Sequence, residues 1–319
     1  MGNRSYMLIF RLTIAAVLMT GLSMAAGQVT AMPPHPDIQG KIQSGEVALP
    51  FAKTRISGAD SGLDAPAIIN TPAFAGSFKA LCIMVDFSDN PGVTSSAEFD
   101  TLIFAAQTGT VRDYYDEVSY GQIDLVTVNL PSSMNWKRAP QTYAYYVDND
   151  YGTGSPYPHN TQKLCEDLVD LVDAQVDFSE YDNDGDGYVD ALLITHAGPG
   201  AEYTGNTTDI WSHKWSISPR NRDGVLIYNY AIMPEFWNAS GDMTIGVYCH
   251  ELGHVFGLPD LYDTDGSSQG VGNWSLMATG SWNGGMGRTP AHPDAWCKSK
   301  VGWLTPTVVS ANQTGESIP

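Results

Sequence analysis

The spacing of hydrophobic positions along this 319-residue chain changes several times, and each change predicts an element. "KALCIMVDFSD", residues 79–89, carries a continuous apolar run, the pattern of a strand covered on both faces. "TVRDYYDEVSYGQIDLVTVNL" predicts a helix with Tyr115 and Val118 on its inward face, stopped by Gly121 and followed by a second strand. In "TQKLCEDLVDLVDAQV", residues 161–176, Leu164, Leu168, Leu171 and Val172 recur at helical spacing, with Thr161 as the cap. "DALLITHAG" and "GVLIYNYAIMPE" predict further strands. Helices and strands alternate, so the expected class is α/β (α+β) around a central mixed sheet.

The amino terminus departs from this pattern. Arg4 and Arg11 precede an uncharged apolar run that begins at Leu12, and small residues follow at Ala25, Ala26, Gly27 and Ala31. This is the layout of a secretory signal peptide, expected over residues 1–27, with the mature chain starting between Ala26 and Met32. Residues 28–76 are rich in Pro, Gly, Ser and Ala with weak periodicity, and are expected to form a propeptide or extended N-terminal segment. That segment holds no cysteine, which excludes a cysteine-based latency switch within it. Residues 77–319 are then the folded domain, with no later run apolar enough to cross a bilayer.

Charge narrows the partners. With 35 acidic against 16 basic residues, net −19, the chain offers no basic footprint for nucleic acid or anionic membrane. The same excess supplies carboxylates for hard cations. "YDNDGDGYVDALL" sets Asp182, Asp184, Asp186, Gly187 and Asp190 at positions one, three, five, six and nine of a calcium loop, with the Tyr188 carbonyl at position seven. Ile194 stands at position twelve, where an EF-hand needs a glutamate, so the expected role of Ca²⁺ is structural.

The strongest chemical signal is "GVYCHELGHVFGLPDLYD". His250 and His254 are four residues apart, about one helical turn, so both imidazoles can share a Zn²⁺. Glu251 falls beside that site, where a general base would take a proton from zinc-bound water and pass it to the leaving amine. Gly257 can end the helix in a left-handed conformation, and Pro259 prevents its resumption. Asp260 is the next residue able to meet the metal, and Asp263, Asp265, His292 and Asp294 remain alternatives, Asp263 foremost. A downstream glutamate ligand is close to excluded, because Glu316 in the polar tail is the sole glutamate after Glu251.

These residues carry a resemblance. "HELGHVFGLPD" resembles the HExxHxxGxxD variant of the metzincin pattern, and "GNWSLMATGSW" resembles a Met-turn centred on Met277. More closely, the chain is similar to the immune inhibitor A family of secreted bacterial metalloproteases, through "MPPHPD", "VRDYYDEVSYGQIDL", "YDNDGDGYVDALLITHAGPG", "DIWSHKW" and "PAHPDAWCKSKVGW" as well. The resemblance implies a metzincin-like domain with a twisted mixed sheet. It also implies a zinc endopeptidase with His250, His254 and Asp260 as ligands, Glu251 as base and Met277 beneath the metal. No Tyr follows the Met-turn at Ala278 or Thr279, so the oxyanion-stabilising group is open, with Tyr248 and His292 as candidates.

Other residues read as structural. Cys82, Cys165, Cys249 and Cys297 are too few and too scattered for a disulfide framework, and Cys249 is expected as a buried thiol or a disulfide partner. His196 and His213, each beside aromatic or apolar neighbours, are expected as hydrogen-bonded core residues, and Trp211, Trp215 and Trp237 as core packing. The expectation is thus an exported, monomeric, calcium-stabilised zinc endopeptidase acting on protein or peptide substrates, secreted, periplasmic or at the cell surface. Its rival is a catalytically silent calcium-binding adhesion protein on the same fold, against which the intact Glu251 argues.

Overall fold

The computed structural model describes residues 29–50, 75–264, 267–312 and 314. The expected signal peptide, and residues 28 and 51–74 of the expected propeptide, lie outside the described residues. Among the described residues no helix is long and apolar enough to cross a membrane.

The strands, in chain order, are β1 (Thr30–Ala31), β2 (Gly76–Lys79), β3 (Leu81–Asp86), β4 (Ile123–Val126), β5 (Lys137–Arg138), β6 (Leu192–Pro199), β7 (His213–Arg222) and β8 (Val225–Phe236). Six of them form one mixed sheet in the order β1-β7-β8-β6-β3-β5. Within it β5, β3, β6 and β8 are mutually parallel, while β7 runs antiparallel to β8 and β1 antiparallel to β7. The antiparallel step is a tight hairpin. Asp223 and Gly224 both take positive φ, 51° and 87°, the twist that an Asp-Gly turn supplies between right-twisted strands.

The period-two alternation sorts side chains between two cores. From β3, Leu81, Ile83 and Val85 enter one core while Cys82 and Met84, with Ala80 just before the strand, enter the other. The first core is closed by the helix Thr161–Val172 through Leu164, Cys165, Leu168, Val169 and Val172. The second is closed by the helices Val111–Val118 and Ile245–Val255. Because helices cover both faces, β3 is buried along its whole length, as its unbroken apolar run predicts.

Three details differ from the sequence expectation. The helix Thr161–Val172 is capped by Asn160, whose side chain accepts the Lys163 N–H, and Thr161 is its first residue. Leu171 is exposed, and Cys165 and Val169 face the core instead, because the inward stripe is rotated from the one its leucines suggest. The second predicted strand, β4, does not join the main sheet but pairs in parallel with β2, a strand not anticipated, in a separate two-stranded sheet.

Candidate metal centre

All eleven residues of the helix Ile245–Val255 are buried, between the sheet and the irregular chain that follows it. Its glycines make that possible. A Cβ on Gly253 would lie 2.6 Å from the Met277 Sδ, so the bare backbone between the two histidines is what lets Met277 pack against the helix. The helix ends where its sequence says it must. Gly257 has φ +81°, its N–H bonds the His254 carbonyl at 3.0 Å, and the Leu258 N–H bonds the Gly253 carbonyl at 3.0 Å. This paired closure turns the chain back under the helix and delivers Asp260 to the histidines.

The imidazoles are fixed from behind. His250 Nδ1 lies 2.9 Å from the Leu276 carbonyl and His254 Nδ1 lies 2.7 Å from the Leu258 carbonyl. A carbonyl oxygen can only accept, so the His254 Nδ1 carries the proton and that ring presents an Nε2 lone pair forward. His250 meets a carbonyl at each nitrogen, Leu276 at Nδ1 and Ala31 at Nε2, and holds a metal only in the tautomer protonated at Nδ1. Those two Nε2 atoms are 3.0 Å apart, and Asp260 Oδ1 is 3.3 Å from one and 3.2 Å from the other. The three potential donors converge as they would around a cation. Bonds of about 2.0–2.1 Å to a tetrahedral zinc imply donor-to-donor edges of about 3.3 Å, so the set fits that ion. Among the described residues Asp260 Oδ1 has no hydrogen-bond partner beyond its contacts with these two rings. Burial alone would raise the Asp260 pKa, but the His254 and His250 rings outweigh it and hold the carboxyl well below the usual carboxylate range. At His254 burial dominates and lowers the pKa, favouring the neutral ring a metal requires.

Glu251 is fully buried beside this triad, and among the described residues neither carboxylate oxygen has a hydrogen-bond partner. Burial first, and the Asp260 charge second, push its pKa well above the ordinary carboxylate range. A cation on the triad would counter both effects and favour the ionised form.

The other ligand candidates are engaged elsewhere. Asp263 accepts from the Ser267 hydroxyl at 2.8 Å, and Asp294 caps the helix Ala295–Lys300 through the Trp296 and Cys297 amides. Asp265 lies outside the described residues. Both oxyanion candidates are corrected. The Tyr248 hydroxyl is buried in the sheet, 2.9 Å from Thr195 Oγ1 and donating to the Pro234 carbonyl at 3.1 Å. His292 stands at the exposed surface, 3.0 Å from both Glu117 and Lys298. Sequence reasoning did not single out Tyr262, two positions after Asp260, whose hydroxyl donates to the Ala31 carbonyl that lies beside His250. Its signal was its adjacency to the third donor.

The amino-terminal segment fills the cleft. β1 adds to the free edge of β7, pairing Thr30 with Lys214 and Ala31 with His213. Beyond β1, the Met32 N–H donates to the Ser212 carbonyl at 3.1 Å, the Trp211 indole donates to the Met32 carbonyl at 2.8 Å, and the Trp282 indole donates to the Pro33 carbonyl at 2.9 Å. The Ala31 carbonyl sits 3.1 Å from His250 Nε2, the Ala31 N–H donates to Asp260 Oδ2 at 3.3 Å, and the Tyr262 hydroxyl donates to the Ala31 carbonyl at 2.9 Å. Trp211 is therefore buried as expected, yet its polar edge binds this segment.

Elsewhere, Asp182, Asp184 and Asp190 converge so that one oxygen of each lies within 4.8 Å of the others. Asp186 is not part of that group; its carboxylate accepts the Tyr188 N–H at 2.9 Å. Gly185 and Gly187 take φ of +77° and +88°, allowing the sharp turn. Backbone bonds of Val189 and Gly187 to Leu226 tie the loop to β8. Burial, with the charges of Asp184 and Asp186, drives the Asp190 pKa up to about 7 against the backbone hydrogen bond from Asn183. Cys82, Cys165, Cys249 and Cys297 are all free buried thiols, so the disulfide alternative for Cys249 does not occur. His213 is bonded to the Trp211 carbonyl, Thr161 and Tyr230, whereas His196 bonds through Nδ1 to the Ala197 carbonyl and its buried Nε2 has no partner among the described residues.

A helix carrying two histidines and a buried glutamate, turned at a left-handed glycine onto an aspartate, agrees with what comparison finds. The family model described as the immune inhibitor A peptidase M6, catalytic domain, matches residues 92–304. The chain belongs to this family. It is 28% identical over 313 residues to immune inhibitor A of Bacillus thuringiensis subsp. alesti, covering 80% of this chain and 44% of that protein. It is 30% identical over 296 residues to the pre-pro-metalloprotease PrtV of Vibrio cholerae, covering 74% of this chain and 31% of that one. The chain thus spans less than half the length of these relatives.

Proposed function

We propose that this M6-family chain is an exported zinc endopeptidase, with His250, His254 and Asp260 as metal ligands and Glu251 as general base. The observation that carries the reading is the meeting of two imidazole nitrogens and a buried carboxylate oxygen at 3.0–3.3 Å. A zinc ion held there supplies Lewis acidity and acidifies water. Glu251 accepts the proton of the attacking water and returns it to the leaving amine, a role that suits a buried carboxylate with no hydrogen-bond partner among the described residues. The edge of β7 offers the Ser212 carbonyl and the backbone of His213 and Lys214 to an extended substrate, by the strand addition that β1 makes in this structure.

Export is supported by the layout of residues 1–27 and by the word "pre-pro" in the name of the Vibrio relative. The described part of residues 28–76 behaves as a propeptide in this reading. It covers the triad and must leave before substrate enters. The Asp182 loop is proposed to hold structural Ca²⁺ through Asp182, Asp184 and Asp190, with the Tyr188 carbonyl as a further donor and Asp186 shaping the turn. Metal analysis of the purified protein beside a chelator-controlled assay on a denatured protein substrate tests the reading. We expect one zinc per chain and hydrolysis that chelation stops and zinc restores. Hydrolysis that survives complete removal of the metal would overturn it.

A further inference from the structure

We propose that Tyr262 is a catalytic residue, binding the carbonyl oxygen of the bond to be cleaved and stabilising the negative charge that develops on it. The proposal rests on the peptidase reading above. β1 lies in the cleft as an extended peptide added to a sheet edge, so its carbonyls sample positions that substrate carbonyls would take. One of them, that of Ala31, lies 3.1 Å from His250 Nε2, close to the donor spacing within the triad itself. It therefore stands beside the donor set formed by His250, His254 and Asp260. The same oxygen accepts from the Tyr262 hydroxyl at 2.9 Å. A donor at that distance from a carbonyl beside a metal site has the geometry that oxyanion stabilisation needs.

The position of Tyr262 is fixed by its chain neighbour. Leu261 donates to the Met277 carbonyl at 2.7 Å and accepts from the Val271 N–H at 2.9 Å. The aromatic side chain is thus carried on backbone anchored to the turn that also supplies the Leu276 carbonyl to His250. Tyr248 and His292, the alternatives from sequence, have their polar atoms committed away from the cleft.

The test compares the matured, zinc-loaded wild type with Tyr262→Phe and Glu251→Gln, measuring kcat, KM, zinc content and the Kd of a phosphinic peptide that mimics the tetrahedral state. Loss of an oxyanion donor lowers kcat about 10²–10³-fold. For Tyr262→Phe we expect that fall with KM and zinc content unchanged, and a weakening of phosphinic-peptide binding, read by calorimetry, of similar size. The proposal is overturned if Tyr262→Phe keeps wild-type kcat while Glu251→Gln is inactive, which leaves the peptidase reading standing. It is also overturned if the fall in kcat comes with lost zinc or without weaker phosphinic binding, since a merely structural role would produce either. A zinc-loaded wild type that cleaves nothing would remove the underlying reading and the proposal with it.

Discussion

The calcium loop permits a quantitative prediction. Asp190 is raised from 3.8 to about 7 by burial and by its acidic neighbours. Because the folded value exceeds the unfolded one, the stabilising contribution of this group is full below pH 3.8 and is lost as pH rises through about 7. At pH 5.5 a group of pKa about 7 is ionised in about one molecule in thirty, and at pH 8 in nearly all; the difference is worth about 2 kcal/mol. Calcium must displace that proton at pH 5.5 but not at pH 8. At a fixed free concentration, calcium should therefore add about 2 kcal/mol more to the unfolding free energy at pH 8 than at pH 5.5. Urea unfolding of zinc-restored protein with and without calcium, at both pH values, measures this directly. In Asp190→Asn the pH dependence of the calcium increment should vanish. An equal increment at the two pH values in the wild type, or one whose difference survives in Asp190→Asn, refutes the reasoning.

Two further substitutions probe the turn that builds the centre. Gly257→Ala forces a Cβ into a φ of +81° and should cost about 1–2 kcal/mol in denaturant unfolding of the metal-free protein, with weaker zinc binding as Asp260 is displaced. Asp260→Asn should lower zinc affinity at least about 100-fold in competition dialysis, whereas Asp263→Asn should leave it within about threefold. The reverse order would move the third ligand.

Much of the centre was legible because it is local. Two histidines one turn apart, a glutamate between them, a glycine and a proline that end the helix, and the next aspartate all lie within eleven residues, and backbone geometry brings them together without long-range packing. The strand β3 was legible for the same reason, since its apolar run needs only two covering layers. What escaped depends on contacts distant in sequence. Asn160 displaced Thr161 as cap because the cap is decided by backbone angles at the first turn, not by residue type alone. β2 has only four residues, two of them exposed, so its partner β4 gives it a register that its own pattern does not. Tyr262 was passed over because the role of a phenol at this site depends on where a distant carbonyl falls, and Ala31 is 231 residues away. The occupancy of the cleft by residues 29–34 was equally hidden, since a short proline-rich stretch carries no periodic sign of the strand edge it joins.

The central claim is that Glu251 works as a proton carrier beside a metal held by His250, His254 and Asp260. The most direct measurement is peptide hydrolysis by zinc-loaded Glu251→Gln, with zinc content determined on the same sample. A loss of at least about 10²–10⁴-fold in kcat with wild-type zinc content is the predicted result. A Glu251→Gln enzyme that cleaves at the wild-type rate, or one that loses activity only because it has lost its zinc, would contradict the account.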